Sequence, residues 1–440
     1  MRFRGTAFLF LLLAALAVWV YWTEIRGREA RGRAEDAAGK VLPVDAADIE
    51  EISLVYPDRV LRAVRAEGGW NFVSPVGLEA DAAGWDQVAA NVGRVERGET
   101  VTEEPADLAQ YGLDEAFVRV EVRLSDERTE EIRFGNENPA GEAHYASVAS
   151  SPGVFLTAIT WRGLFLKETD DLRDRTLLRF GQGDIDGIEI APSGVVLVLE
   201  EGEWFIEGPP RLRADDSEIA SFLGALRTTR ATGFAEPAAG AFEIPTAEVI
   251  LDDRATDQRH VLSFGRAVPE DAELVYARDA SRGPVFTVGV DLRNRALSRV
   301  PLWRDKTIAA FDPDSVVSIR IERADGPALA LEKSADAWAL SDGRAVSDIR
   351  IQDILGAFEF QEASEVIDTP GAPAMYGLDS PRLRVVFGDG TGDVLDFHFG
   401  NEAAGGRGVY WKSTDEAAVK VVPMSVLSPF DVEEEDLVGE

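Results

Sequence analysis

The sequence predicts an α+β fold of three tandem repeats, each a mostly antiparallel β-sheet with packed helices, after one N-terminal transmembrane helix. Three observations predict it. A tryptophan recurs in a similar context at Trp70, Trp204 and Trp338, and each interval is 134 residues. Short runs of apolar residues alternate with period two between glycine, proline and aspartate turns, which is typical of an antiparallel meander. After each of these tryptophans comes one apolar stripe with helical spacing.

The transmembrane helix is predicted from residues 6–22, an uncharged run whose last four residues include three aromatic ones, Trp19, Tyr21 and Trp22. A spanning helix needs about 20 apolar residues, with a range of about 17–25, and aromatic residues suit the membrane–water interface. We therefore assign residues 1–25 to an uncleaved signal anchor. One alternative is a cleaved signal peptide, because Ala15-Leu16-Ala17 matches a small-residue cleavage motif. Another is an apolar tail on a cytosolic protein.

Orientation is predicted from the flanking charges and from the absence of cysteine. Arg2 and Arg4 precede the apolar run, although four more arginines follow it within residues 26–33. With the export-like N-terminus, this favours a single-pass protein of the inner (cytoplasmic) membrane with a cytoplasmic N-terminus. The bulk of the chain is then periplasmic. Residues 26–43 are polar and rich in alanine, glycine and arginine, so they are predicted to form a linker.

The net charge divides along the same line. The chain has 79 acidic and 45 basic residues, a formal charge of -34. Its first 33 residues hold six arginines and two glutamates, +4, so the remainder carries -38. That acidity argues against a nucleic-acid partner, because phosphates attract lysine and arginine. It also argues against the folded part resting on an anionic bilayer. The absence of cysteine excludes disulfides, thiolate metal sites and cysteine nucleophiles.

The repeats are bounded by further landmarks that recur in the same order. We place them at residues 44–178, 179–310 and 311–440, the second being degenerate and the third ending in an acidic C-terminal tail. The landmarks after the tryptophan are a Tyr-Gly-Leu-Asp tetrapeptide, a Phe-Gly-Asn tripeptide and a single tyrosine. Their key residues are Tyr111, Gly112, Gly135 and Tyr145 in repeat one, Gly265 and Tyr276 in repeat two, and Tyr376, Gly377, Gly400 and Tyr410 in repeat three.

The predicted helices follow from apolar spacing. In repeat one, Trp85, Val88, Ala89 and Val92 fall at i, i+3, i+4 and i+7, which places them on one helical face. Repeats two and three show the same stripe, and Asp215 or Ser217 is expected to cap the helix of repeat two. A single stripe per helix predicts a helix lying on the sheet.

At these landmarks the sequence resembles the bacterial family known as domain of unknown function 4340. The resemblance covers most of residues 44–440 as three copies. It implies a membrane-anchored, exported protein, often associated with ABC transporter components of the gliding-motility type, with no known catalytic residue to transfer. Repeat two departs from the pattern, because Phe242-Glu243-Ile244-Pro245 stands in place of Tyr-Gly-Leu-Asp and Arg266 in place of the asparagine.

The landmarks are predicted to be structural. The tetrapeptide suits a tight turn, Gly135-Asn136 suits a turn at the end of a strand, and each repeated tryptophan suits a core anchor. His144, His260 and His398 occupy non-equivalent positions without zinc spacing, so we expect no metal, cofactor or catalytic site. The glycine-rich run 388–392 is predicted to be a hairpin, and the acidic run 431–436 a solvated tail.

Three functions remain open from sequence. The first is a non-enzymatic, membrane-anchored accessory or scaffold of an ABC-type envelope complex. The second is a polysaccharide- or peptide-binding module that uses its repeats for avidity. The third is an envelope hydrolase that uses paired carboxylates. Exposed equivalent aromatics would favour the second, and two carboxyl groups converging in a cleft would favour the third.

Overall fold

The computed structural model describes residues 39–236, 240–335 and 337–438. These residues form three β-sheets in which every strand pair is antiparallel, and the helices are few and short. The fold is therefore β-rich rather than an even mixture of helix and strand. The predicted transmembrane segment, residues 6–22, lies outside the described residues. Within them, no helix combines the length and the apolar character needed to span a membrane.

The chain divides into two compact units. One ends at Arg175 and contains the first sheet, and the other begins at Thr176 and contains the second and third sheets.

Repeat one contains eight strands and two helices. Its sheet has the order β3-β2-β1-β5-β6-β7-β8-β4. The strands are β1 (Ile49–Val55), β2 (Val60–Ala66), β3 (Gly69–Ser74), β4 (Thr100–Thr102), β5 (Val118–Leu124), β6 (Thr129–Glu137), β7 (Ala143–Val148) and β8 (Ser151–Ala158), with helices α1 (Ala82–Val92) and α2 (Trp161–Phe165).

Repeat two follows the same plan with one extra edge strand. Its order is β12-β11-β10-β9-β14-β15-β16-β17-β13. The elements are β9 (Ile185–Ala191), β10 (Val195–Glu200), β11 (Glu203–Ile206), β12 (Leu212–Arg213), α3 (Asp216–Thr228), β13 (Gly233–Phe234), β14 (Ala247–Asp253), β15 (Gln258–Val268), β16 (Asp271–Asp279), β17 (Phe286–Gly289), α4 (Val290–Ala296) and α5 (Val300–Trp303).

Repeat three repeats the order of repeat one, as β20-β19-β18-β22-β23-β24-β25-β21. Its elements are β18 (Ser318–Arg323), β19 (Leu329–Ser334), β20 (Ala337–Leu340), α6 (Asp348–Leu355), β21 (Glu365–Ile367), β22 (Leu383–Gly388), β23 (Asp393–Glu402), β24 (Val409–Ser413), β25 (Val419–Val422), α7 (Met424–Leu427) and α8 (Glu434–Leu437).

Alternation of side chains explains the central strands. In β5, Val118, Val120, Val122 and Leu124 are buried, and the charged residues between them are part-exposed. Because successive side chains of a strand point to opposite faces, one face of this strand enters the core and the other meets solvent. The strand lies between β1 and β6, in the interior of its sheet.

The helices bury the stripes that the sequence predicts. Helix α1 buries Trp85, Val88, Ala89 and Val92, and its Trp85 is fully enclosed beneath the sheet. At the start of α3, Asp215 accepts hydrogen bonds from the backbone N–H groups of Ser217 and Glu218 at 2.9 and 3.0 Å. Such a cap satisfies donors that have no partner inside the helix.

The Gly-Asn pairs do not form the strand-ending turns that the sequence analysis predicted. Strand β6 continues through Gly135 and Asn136 to Glu137, and its register with β7 shifts between Phe134 and Glu137. Strand β23 shows the same irregularity between Phe399 and Glu402. These glycines therefore lie in β-bulges, where one strand carries extra residues against its partner.

The acidic C-terminal segment is not the free tail that its charge predicts. Leu437 is fully buried in the core of repeat three, and its carbonyl accepts a hydrogen bond from the backbone N–H of Ser347 at 2.9 Å. Glu433 pairs with Arg323 at 3.1 Å. The acidic side chains of the run stay mostly exposed, but the buried Leu437 holds the segment against repeat three, where it forms helix α8.

Candidate functional site

The three repeated tryptophans lie on equivalent strands, β3, β11 and β20, with only 5, 8 and 4% of Trp70, Trp204 and Trp338 exposed. In repeat one, the Trp70 ring lies 6.2 Å from that of Trp85 on α1, and its Nε1 donates to Asp86 at 2.8 Å. Stacking on a sugar requires an accessible ring face. These rings therefore join sheet to helix and offer no repeated aromatic platform.

The tetrapeptide and the Phe-Gly-Asn bulge pack against each other. Gly112 and Gly377 have φ values of 65° and 68°, in the left-handed region that favours glycine. A Cβ on either would lie 2.5 Å from the side chain of Asn136 or Asn401. Both glycines are therefore required by conformation and by close approach. We call this contact the loop–bulge joint.

The second glycine of each joint is required for a related reason. A Cβ on Gly135 would overlap the carbonyl oxygen of Tyr111, and one on Gly400 would overlap that of Tyr376. The tyrosine rings extend the joint, since Tyr111 meets Tyr145 edge-on with centroids 5.0 Å apart, and the pair of repeat three has the same spacing. The edge-to-face geometry adds stability beyond the buried area.

Repeat two builds the joint from different residues. A Cβ on Gly265 would lie 2.7 Å from the carbonyl oxygen of Ala241, and the backbone N–H of Arg266 donates to that same oxygen at 3.3 Å. Ala241 therefore takes the place of the tyrosine, one residue earlier than the sequence comparison placed the match. The next residue, Phe242, has the guanidinium of Arg278 4.8 Å from the centre of its ring. Tyr276, the landmark tyrosine of this repeat, is buried.

Repeat three contains a cleft of about 760 Å³ between residues 309–314 and helix α6. Its apolar surfaces come from Phe311, Trp338, Ile351, Leu355 and Phe358, and its polar lining from Asp314, Lys333, Asp348, Gln352 and Glu359. Within the described chain, no hydrogen bond or ion pair engages the side chains of the five polar residues. The cleft therefore combines an apolar floor with four charged side chains, three negative and one positive, that have no ion-pair partner within the described chain.

The family model described as "Domain of unknown function (DUF4340)" matches residues 70–242 and 204–372, together well over half of the chain. The chain belongs to the DUF4340 family. The two matches are tandem copies, and each begins at a repeated tryptophan, Trp70 or Trp204. No curated protein matches the chain, and no solved structure matches it.

The histidines of this DUF4340 protein are separate from the cleft. His144 on β7 is fully buried, its ring lies 5.1 Å from that of Phe117, and neither ring nitrogen has a hydrogen-bond partner among the described residues. Burial lowers the pKa of His144, because desolvation disfavours the charged imidazolium. His260 faces Asp253 with 3.4 Å between Nε2 and Oδ2.

The described part of this DUF4340 chain brings together no group of three His, Asp or Glu side chains that could hold a metal ion. The predicted landmarks gather instead into two places in each repeat, the tryptophan between sheet and helix and the loop–bulge joint. The repeat pattern identifies Trp338 but does not predict the cleft around it. One available signal was the helix stripe, where Ile351 stands at the position that a tryptophan, Trp85, occupies in repeat one.

Proposed function

We propose that this chain is a non-enzymatic scaffold, anchored in the inner membrane by residues 6–22, whose repeats bind protein partners of an envelope complex outside the cytoplasm. One observation carries the proposal. The residues shared by the repeats stabilise each sheet, as buried tryptophans and loop–bulge joints. The repeats therefore share their fold. Their surfaces differ, and these differing surfaces are available to bind different partners.

The junction between repeats two and three supports a scaffold role. The Lys420 ammonium on β25 donates to the carbonyl oxygens of Thr307 and Ile308 at 2.8 and 2.9 Å and pairs with Glu416. Its side chain is only 5% exposed. Because a buried ammonium must keep its partners, this contact fixes the connecting segment against repeat three.

A second ion pair reinforces the same junction. Arg304 donates from Nε to Asp368 at 3.0 Å and from Nη1 to the carbonyl oxygen of Arg213 at 3.1 Å. Its side chain is 14% exposed and that of Asp368 is 21% exposed. Arg304 thus links repeat two to repeat three through charge-assisted bonds, which are stronger than neutral ones. A fixed spacing between domains suits a protein that positions partners.

The membrane anchor and the ABC-type complex enter this proposal from sequence. An uncharged N-terminal run precedes a region of charge -38, and such a region stays soluble and is repelled by anionic head groups. An avidity-based sugar-binding module has less support, because the equivalent tryptophans are buried. A hydrolase has the support that Asp314, Asp348 and Glu359 line one cleft. All three are exposed, however, and a general acid of raised pKa needs a low-dielectric site, so the hydrolase ranks below the scaffold.

Affinity purification of the full-length chain after crosslinking in its native membrane tests the proposal. We expect transporter-type membrane subunits to be recovered in a constant ratio to the chain, and recovery to be lost when residues 1–25 are removed. Recovery of the chain alone from crosslinked membranes would overturn the scaffold function. Release of soluble sugar or peptide fragments from envelope polymer by the purified chain would favour the hydrolase instead.

A further inference from the structure

We propose that the cleft of repeat three binds a peptide segment of a partner protein in which an apolar side chain is flanked by lysine or arginine. The inference rests on the proposed scaffold function and names the class of partner segment and its site.

In repeat one, Arg65 closes the corresponding gap, which lies between the segment before the first strand and the helix. This residue pairs across the sheet with Trp70 and stacks on its ring, with 4.4 Å to the centroid. Its guanidinium donates to the carbonyl oxygens of Ala46 and Ile49 at 3.0 and 2.9 Å and meets Asp86 of α1 at 3.3 Å. One side chain therefore ties the first turn, the first strand and the helix together.

In repeat two, a different residue makes the closure. The side chain of Gln182, in the turn before β9, donates from Nε2 to the carbonyl oxygen of Ala220 on α3 at 2.9 Å. The turn before the first strand is thus again bonded to the helix.

Repeat three lacks this link within its described residues. Lys333 holds the position of Arg65, because it pairs across the sheet with Trp338 as Arg65 does with Trp70. Its ammonium makes no hydrogen bond or ion pair there, and none joins residues 309–315 to helix α6. The gap between these two segments therefore stays open and forms the cleft. The volume of the cleft falls in the range of about 300–1,000 Å³ that is typical of ligand sites.

An unpaired donor in the cleft points to a ligand with a hydrogen-bond acceptor. Trp338 lines the cleft and is 4% exposed, and its indole N–H has no partner within the described chain. The equivalent N–H of Trp70 donates to Asp86. A donor that meets no acceptor of the protein is available to a ligand, and a peptide carbonyl oxygen entering the cleft would accept from it. The Lys333 ammonium can bind a second carbonyl oxygen.

The carboxylates select the flanking residues of that peptide. Asp314, Asp348 and Glu359 surround the apolar floor without an ion-pair partner among the described residues. Lysine or arginine on either side of an apolar residue would pair with them, and the apolar side chain would cover Ile351 and Phe358, which are 4 and 7% exposed. Phe360 follows Glu359 with 95% of its surface exposed, and it adds apolar area beside the site.

Other occupants fit less well. A polysaccharide needs an open aromatic face, whereas Trp338 shows only 4% of its surface. A second copy of the chain would bring a region of charge -38 against an acidic cleft, and like charges disfavour that contact. We therefore assign the site to a cationic, apolar peptide segment.

The test is selection of a phage-displayed random heptapeptide library on the full-length chain in nanodiscs. We expect enrichment of sequences with Lys or Arg beside Leu, Ile or Phe. The enrichment should be lost on a chain carrying D314N, D348N and E359Q and kept on a chain carrying D325N. The control changes an exposed carboxylate in the β18–β19 turn of the same repeat. Selected peptides should bind at least tenfold more weakly to the triple variant, and Trp338→Phe should weaken them several-fold with the fold intact.

Three results would overturn the inference. They are no consensus on the wild-type chain, an acidic consensus, or the same consensus on the triple variant. Failure of the cleft assignment can be distinguished from failure of the proposed scaffold function. If the triple variant still recovers its membrane partners after crosslinking, the cleft assignment fails and the scaffold stands. If the wild-type chain recovers no partner, the scaffold fails whatever the peptides show.

Discussion

The backbone N–H of Asn401 donates to the carbonyl oxygen of Tyr376 at 2.8 Å, and that oxygen occupies the space that a Cβ on Gly400 would need. The same approach recurs between Gly135 and Tyr111 in repeat one and, with altered residues, between Gly265 and Ala241 in repeat two. The glycine that defines each motif is therefore explained by packing, since the tetrapeptide loop can reach the bulge only where the strand has no side chain.

Replacing Gly400 by alanine should destabilise repeat three by about 2 kcal/mol, the usual range for inserting an atom into a packed site. Denaturant unfolding followed by tryptophan fluorescence would measure the change in the midpoint. The matched control is Gly392→Ala in the hairpin of the same repeat, where a Cβ would meet nothing within 4 Å. Equal midpoints for the two variants would refute the close approach.

Replacing Lys420 by methionine should destabilise the second compact unit by about 2 kcal/mol, because the carbonyl oxygens of Thr307 and Ile308 lose a buried donor. Limited proteolysis should then cut near residues 305–310 faster than in the wild-type chain. Arg320→Met is the control, since the side chain of Arg320 is 51% exposed. Unchanged cleavage in the Lys420 variant would mean that the ammonium does not fix the junction.

Replacing Leu437 by alanine should cost about 3 kcal/mol, as for other buried leucines, because its side chain is fully enclosed in repeat three. Ile349→Ala, at a side chain that is 69% exposed, should change the stability by less than about 0.5 kcal/mol. The measurement is again the unfolding midpoint. A Leu437 variant as stable as the wild-type chain would restore the interpretation of residues 431–436 as a solvated tail.

Stability of the first compact unit should fall as the pH decreases from 7 to 5. Burial lowers the pKa of His144 below the value of about 6.5 that it has when unfolded. The unfolded chain then binds more protons in this window, so the stabilisation is present above pH 6.5 and is lost as pH falls below it. Burial also lowers the pKa of His398, which gives the second unit the same sign.

His144→Leu checks the assignment. Because neither ring nitrogen has a partner among the described residues, an apolar side chain of similar size should keep the stability at pH 8 within about 1 kcal/mol. Urea unfolding at intervals of half a pH unit should show a smaller loss of stability for the variant than for the wild-type chain. Parallel pH profiles for the two proteins would contradict a buried neutral imidazole.

Much of the fold could be predicted from local patterns. The alternation in Val118–Leu124 fixes which face of β5 is buried, and the spacing from Trp85 to Val92 fixes the face of α1. Asp215 was identifiable as a cap because its side chain acts only on the next few residues. In each case the decisive interaction is close in sequence or repeats with a regular period.

Features that depend on distant contacts escaped prediction. Gly135-Asn136 suggests a turn until Tyr111, more than twenty residues away, is seen to pack on it. The charge of residues 431–436 suggests a free tail, whereas the burial of the neighbouring Leu437 in repeat three holds the segment in place. The cleft depends on the absence of a hydrogen bond or ion pair between residues 309–315 and α6, which the sequence signals only indirectly, through Ile351 at the position that Trp85 occupies in repeat one.

The most direct test of the account is photocrosslinking from inside the cleft in native membranes. A photoreactive p-benzoylphenylalanine would replace Gln352, on the cleft wall, or Asp325, outside it. We expect the Gln352 probe to crosslink to a membrane-protein partner through a segment rich in Lys or Arg, and the Asp325 probe not to. No protein crosslink from Gln352, or an identical pattern from both positions, would contradict it.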